Sequence, residues 1–542
     1  MIFKRHLRCR TRVLVFFLMA FSVTAKQQDL NPTKVVTTSN GEIQGSMVTP
    51  DIQAFLGIPY AAPPVRDLRW RDPQPVSSWQ GVYHADQFGP QCMQPQRGIM
   101  TNQYSGSEVT SEDCLYLNVW AKTGIEKAPV IVFIHGGGFF IGAGSMPLYG
   151  GEQVAQHGAV FVNLNYRVGP LGFLAHPELT NESSHSTSGN YGFLDQVAAL
   201  RWVHDNIDKF GGDPANVTIV GQSAGSMSVL ALQASPLTKG LFHRAVGMSG
   251  ALLAATGPFS LRSLDVAEND GIRLQEIWNA NNLAELRALP ADRLVVPRKP
   301  SSPPVGPIVD GYVLPTEISK IFSRKAQNDV PLLVGFTRDE AFGGLGPVDS
   351  LADYQKRAAA TFGERASEFL ALYPASDDRQ AISQARAADR DNTIALGMDS
   401  WARMQSSYGD APVYSYMFSR PHVYPDDVII TNLDPASAGA YHTSEVPFWL
   451  GTLESFNRFR TLRDWREADR DFSHKMIDSL VAFARTGSPT IEAFNWPQYD
   501  PSQPVLLELG DIAKPKPWPA AKKFEFFRAA QRPPKDVEQV RD

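Results

Sequence analysis

Ser223 stands in Gly221-Gln222-Ser223-Ala224-Gly225, directly after the apolar run Val217-Thr218-Ile219-Val220 and before a helix-compatible stretch from Ser226 to Gln233. A serine hydroxyl is a poor nucleophile until a base takes its proton, and strand, sharp turn and helix together lift such a hydroxyl above a sheet edge. The flanking glycines let neighbouring backbone come close without a Cβ in the way. The helix start behind the serine offers unpaired N–H groups and a positive dipole end to developing negative charge. In a chain with 42 glycines the five-residue motif alone is weak; the strand before it and the helix after it make it specific. Acyl transfer through Ser223 is the chemistry these residues predict.

A carbonyl under attack needs donors for its oxygen. A second apolar run, Val130 to Ile134, leads into His135-Gly136-Gly137-Gly138-Phe139. Three glycines after a buried strand weaken it unless backbone must approach something closely. The amides of Gly137 and Gly138, with that of Ala224, are expected to form an oxyanion hole, each donor worth about 3 kcal/mol in the transition state. The alternative is a plain glycine turn.

A base and an anionic partner must complete the set, and on this framework they follow in the order serine, acid, histidine. The apolar run Leu332 to Phe336 is followed by Thr337-Arg338-Asp339-Glu340, and Gly439-Ala440-Tyr441-His442-Thr443-Ser444-Glu445 lies far downstream. Glu340 and His442 are the choices. By spacing alone Asp339 rivals Glu340 almost equally, and His422, in a Pro-flanked stretch read as exposed, is a weaker rival of His442. Arg338 is either a surface arginine or a contact for a charged substrate. Phe139, Phe140, Phe448 and Trp449 are divided between pocket lining and ordinary core.

These groups need a rigid frame. The runs Val130–Ile134, 160–164 and Val217–Val220 are apolar enough for strands covered on both faces. Between the second and third, Phe193, Val197, Leu200, Val203, Ile207 and Phe210 recur at helical spacing and end at Gly211-Gly212. Further strands are expected at 245–248, 332–336, 413–418 and 505–509. The stretch to about Pro75 reads as an antiparallel lead-in, and the Ala-rich, charged region of about 351–408 as a helical insertion over one end of the sheet. The fold class is α/β, with a large, mainly parallel central sheet flanked by helices.

The chain opens with Lys4, Arg5, Arg8, Arg10 and Arg12, runs apolar from Val13 to Val23 and reaches Val23-Thr24-Ala25. This reads as a signal peptide, residues 1–25, cleaved after Ala25 and directing a secreted or periplasmic protein; eleven apolar residues are too few to span a bilayer, and no stable membrane anchor is expected. Its loss moves the formal charge from −5 to about −10, which excludes nucleic acid as a natural partner. Without repeats or a charged linker, residues 26–542 read as one domain. Cys9 leaves with the signal. Cys92 and Cys114 then form an even pair in an exported protein and suggest one disulfide, worth about 3 kcal/mol by loop entropy. No metal ligation is expected. Asn181-Glu182-Ser183 and Asn216-Val217-Thr218 fit the glycosylation pattern.

The chain resembles the type-B carboxylesterases of the α/β-hydrolase fold, the group that includes cholinesterases and bacterial para-nitrobenzyl esterases. The resemblance rests on Phe55-Leu56-Gly57-Ile58-Pro59-Tyr60-Ala61, Ser111 to Val119, the glycines after Ile134, Gly189 to Gln196, Phe210 to Pro214 and the serine motif, in family order over nearly the whole chain. It implies a glutamate in an Asp-Glu pair as the acid, which favours Glu340 over Asp339. It also implies His442 as the base in a His-x-x-Glu segment, Glu445 and Ser249 as a supporting pair behind it, and the 92–114 disulfide. The implied reaction is two-step hydrolysis of a small-molecule ester, without metal or organic cofactor. Two departures stand out. The loop between Cys92 and Cys114 has no Trp, which argues against a choline-ester specialist, and Ala341 follows the acid where many relatives have Gly. Relatives that keep this fold as binding modules usually lack the serine or the histidine; both are here.

Overall fold

Every position of Ala128–Ile134 and of Leu332–Thr337 is buried, as expected of strands covered on both faces. In a computed structural model, which describes residues 31–95, 98, 100–102, 109–254, 260–295, 302–342, 344–519 and 521–531, these runs are central strands of an 11-stranded sheet. Its strands are β1 (Ser46–Met47), β2 (Ile52–Pro59), β3 (Tyr116–Lys122), β4 (Ala128–Ile134), β5 (Val160–Leu164), β6 (Gly212–Gln222), β7 (Arg244–Met248), β8 (Leu332–Thr337), β9 (Val413–Phe418), β10 (Val505–Leu509) and β11 (Ala513–Pro517). Their order is β11-β10-β9-β8-β7-β6-β4-β5-β3-β2-β1. From β10 to β5 all neighbours are parallel, and the strands at both edges are antiparallel. The signal segment, its cleavage position and Cys9 lie outside the described residues.

Side-chain alternation assigns the two faces. Val130, Val132 and Ile134 join a core with Phe193, Val197 and Leu200 of α1 (Tyr191–Asn206), while Ile131 and Phe133 join one on the other face with residues from 467–486. The helix after the serine motif is α2 (Ala224–Ala234). The Ala-rich region forms α3 (Leu351–Phe362), α4 (Ala366–Leu372), α5 (Asp378–Arg390) and α6 (Leu396–Tyr408). A long amphipathic helix, α7 (Glu467–Thr486), closes the second face. Strand β11 escaped the reading because Pro515 and Pro517 argue against a strand; its place at the sheet edge is where proline is tolerated.

Cys92 and Cys114 are disulfide-bonded, with Cα atoms 4.9 Å apart. In the glycosylation pattern at 216–218, Thr218 is buried inside β6 and Asn216 is half-buried. Among the described residues no helix is long and apolar enough to cross a membrane.

Candidate active site

Strand β6 ends at Gln222 and α2 begins at Ala224, so Ser223 is the whole turn. Its backbone adopts φ 58° and ψ −122°, a conformation that costs a non-glycine residue about 1–3 kcal/mol. The surroundings hold it there. Ser223 N donates to Met248 O at 2.8 Å and Met227 N donates to Ser223 O at 2.9 Å. A Cβ on Gly221 would stand 2.2 Å from Gly225 O, and one on Gly225 would stand 2.0 Å from Ile134 O. Both motif glycines are therefore required by backbone contact.

The glycine loop after β4 lies beside this turn. Gly137 and Gly138 have φ of 117° and 64°, and a Cβ on Gly137 would meet Ile141 O at 2.0 Å. The loop is fastened by Gln94, whose Oε1 accepts from Gly142 N at 2.7 Å while its Nε2 donates to Gly142 O at 2.8 Å. His135 is buried against Tyr166, with ring centroids 4.3 Å apart, and burial pulls its pKa down to about 4. It is a neutral structural ring.

Glu340 follows β8, wholly buried, and its Oε1 accepts from Thr337 N at 3.0 Å. Its Oε2 lies 2.6 Å from His442 Nδ1. That contact places the proton on Nδ1 and leaves Nε2 as the acceptor. Gln222 Nε2 lies 3.3 Å from that Nε2. Asp339 does something else: it accepts from Ala440 N at 2.7 Å and pairs with Arg338 at 2.9 Å, pinning the histidine loop to the end of β8. Arg338 is thus engaged by its neighbour.

Three residues after the histidine, Glu445 is fully buried and its Oε1 accepts from Ser249 Oγ at 3.3 Å. Burial first, and the nearby Glu340 second, push its pKa up to about 8. Near neutral pH it holds its proton.

His422 is not the exposed residue expected. It is buried, its Nε2 donates to Ser444 O at 2.8 Å, and its Nδ1 accepts from Arg463 Nε at 2.9 Å. Burial, and then the guanidinium, hold its pKa near 3. Arg463, 1% exposed, also donates to Tyr441 Oη at 3.1 Å and to Asn102 Oδ1, under the rings of Tyr424 and Phe456. No carboxylate pairs with it among the described residues. Sequence spacing gave no sign of this network, because its members lie up to 361 positions apart.

Ser223, Gly137, Gly138, Ala224 and His442 all line one cavity of about 860 Å³. Phe139 and Phe140 line it as well; Phe448 and Trp449 do not, being fully buried in the core behind it. Phe342 meets the His442 ring edge-on at 4.7 Å and is an exposed apolar group at the cavity wall. The 351–408 helices contribute no described lining residue. They act indirectly: Asp389 of α5 accepts from Phe342 N and, at 2.9 Å, from Gly344 N, while Met398 of α6 accepts from Gly250 N. Among the described residues no group of three or more His, Cys, Asp or Glu is arranged to hold a metal ion.

Residues 32–527 match the family described as the Carboxylesterase family. The chain is 37% identical to the para-nitrobenzyl esterase of Bacillus subtilis (strain 168), over 86% of this chain and 92% of that protein. It is 36% identical to the fumonisin B1 esterase of Sphingopyxis macrogoltabida, over 79% and 81%. A solved PNB esterase structure superposes with a TM-score of 0.75 at 33% identity, covering 92% of this chain and 99% of that one.

Proposed function

The chain belongs to the carboxylesterase family and is a carboxylic ester hydrolase, and from that premise we propose that Ser223, His442 and Glu340 carry the reaction. Glu340 holds the imidazole with Nδ1 protonated. His442 Nε2 takes the Ser223 hydroxyl proton as Oγ attacks the ester carbonyl carbon. The carbonyl oxygen becomes an oxyanion facing the amides of Gly137, Gly138 and Ala224, which lie in a site that need not reorganise to receive it. Collapse breaks the bond to the alcohol oxygen, which leaves with the proton from His442, and the acyl group stays on Ser223. Water, deprotonated by the same Nε2, attacks the acyl-enzyme, and the acid departs as Ser223 recovers its proton.

The carrying observation is the 2.6 Å contact between Glu340 Oε2 and His442 Nδ1 on the wall of the cavity that Ser223 also lines. Glu445 and Ser249 support this histidine from behind: a protonated Glu445 adds no second negative charge beside Glu340. The reading extends to an exported protein of one domain, in which residues 1–25 are removed and the 92–114 disulfide forms outside the cytoplasm. The test is turnover of para-nitrophenyl esters graded by acyl length, on wild type and Ser223→Ala, with the intact mass measured after an organophosphate. Wild type gains one adduct, and Ser223→Ala gains none and loses about 10⁶ in kcat. Equal turnover by the two proteins sinks the assignment.

A further inference from the structure

A peptide plane sets the direction of the Gly138 amide, and that plane is set from a distance. Phe140 N and Ile141 N both donate to Gly137 O, at 3.1 and 3.2 Å. The C=O and N–H of a trans peptide point in opposite directions, so these bonds aim the Gly138 N–H away from the turn they close. Gly142 comes next, with φ 114° and no room for a Cβ, which would stand 2.3 Å from His135 Nδ1. Having no side chain, it is gripped by that of another residue. Gln94 Oε1 accepts from Gly142 N at 2.7 Å, and Gln94 Nε2 donates to Gly142 O at 2.8 Å and to Cys92 O at 3.1 Å. Both amide hydrogens and the oxygen of Gln94 are thus taken by main chain, although the residue lines the cavity. The base it projects from is itself fixed. Cys92 is bonded to Cys114 and pairs in parallel with Ser111, while Asn165 bridges Pro90 O and Gly144 N at 2.9 and 2.8 Å.

We infer that Gln94 is a positioning residue for the oxyanion: it holds Gly142 and, through the 137–141 turn, keeps the Gly138 amide aimed at the oxygen that becomes negative. The inference rests on the acyl-transfer reading above and adds a residue to it. A donor that must swing into place during the reaction stabilises less than one already aligned. Loss of the grip is therefore felt in the transition state and not in ester binding.

Two variants and two ketones test this. Gln94→Met keeps the length of the side chain and none of its three hydrogen bonds; Gln94→Glu keeps an acceptor for Gly142 N and no donor. Turnover of para-nitrophenyl butyrate is measured per active site titrated with an organophosphate. In Gln94→Met kcat falls about 10²-fold, in Gln94→Glu by less, and KM stays within about threefold in both. Octyl trifluoromethyl ketone is attacked by Ser223 Oγ, whose proton passes to His442 as the ketone oxygen becomes the oxyanion; octyl methyl ketone binds without that step. The inhibition constant of the first rises by the factor by which kcat/KM falls, and that of the second stays within about threefold. The inference is overturned by a loss carried in KM, by a kcat within about threefold of wild type, or by equal weakening of both ketones. Failure of both variants to fold overturns it as well, since Gln94 would then hold the structure and not the loop. Ser223→Ala on the same ester reports separately on the mechanism beneath: full turnover there sinks that reading, whatever Gln94 does.

Discussion

The two sides of the cavity are built by different means. On the sheet side, Gly136, Gly137, Gly221 and Gly225 each face backbone or side-chain atoms within 2.0–2.5 Å of where a Cβ would be. Elsewhere on the rim, a Cβ on Gly306 would meet nothing within 4 Å, and Phe342 N donates to Asp389 while its ring meets that of His442. The proposed nucleophile thus sits where main chain meets main chain, whereas the backbone at Gly306 is not hemmed in. Under the proposed mechanism the turn at Ser223 is fixed by close contacts at these four glycines, although Gly138 has open space around it, while the rim at Gly306 leaves room for a side chain.

This contrast can be broken in three places, in falling order of effect. Glu340→Gln keeps the shape of the sheet side but loses the charge behind His442; kcat should fall about 10⁴-fold on para-nitrophenyl esters with little change in KM. A loss below tenfold would remove Glu340 from the triad. Next, Gly225→Ala should destabilise by at least about 3 kcal/mol in urea unfolding, because its Cβ strikes Ile134 O, whereas Gly306→Ala should stay within about 0.5 kcal/mol. Equal losses would erase the distinction between the two walls. Smallest, when read at about pH 5 at the start of its titration window, is the effect of Glu445→Gln. Its folded pKa of about 8 lies above the ordinary 4.5, so the native state keeps a proton that the unfolded chain releases. That contribution to stability is whole below pH 4.5 and is lost as pH rises toward 8. The glutamine variant should therefore gain on wild type in melting temperature across that window, and parallel curves would show that Glu445 is not held protonated.

The same contrast explains what could be read before the fold was known. The serine turn, the glycine loop and the central strands announced themselves because local rules govern them: two-sided burial makes unbroken apolar runs, and a left-handed turn asks for glycine. Choosing Glu340 over Asp339 needed family resemblance, since neighbouring acids differ only in which way their strand end points them. Asp339 proved to fasten the loop that carries the histidine. The proline beside His422 suggested exposure, but Arg463, Tyr441 and Trp465 converge on it from distant segments. The rim was illegible for that same reason; among the described residues the helices of the 351–408 region hydrogen-bond to segments flanking the cavity through Asp389 and Met398.

Arg463 ties two parts of the cavity lining, Asn102 and Tyr441, to each other. It is tied to Asn102 on the cavity side and, through Tyr441 and His422, to the loop bearing the imidazole. Among the described residues this buried cation has only neutral partners, and such a cation cannot lose one of them cheaply. Remodelling the enclosure near Asn102 would therefore tug on the loop that carries His442 as well, and on the proposed mechanism variation that preserves rate is channelled toward the stretches this cation does not reach.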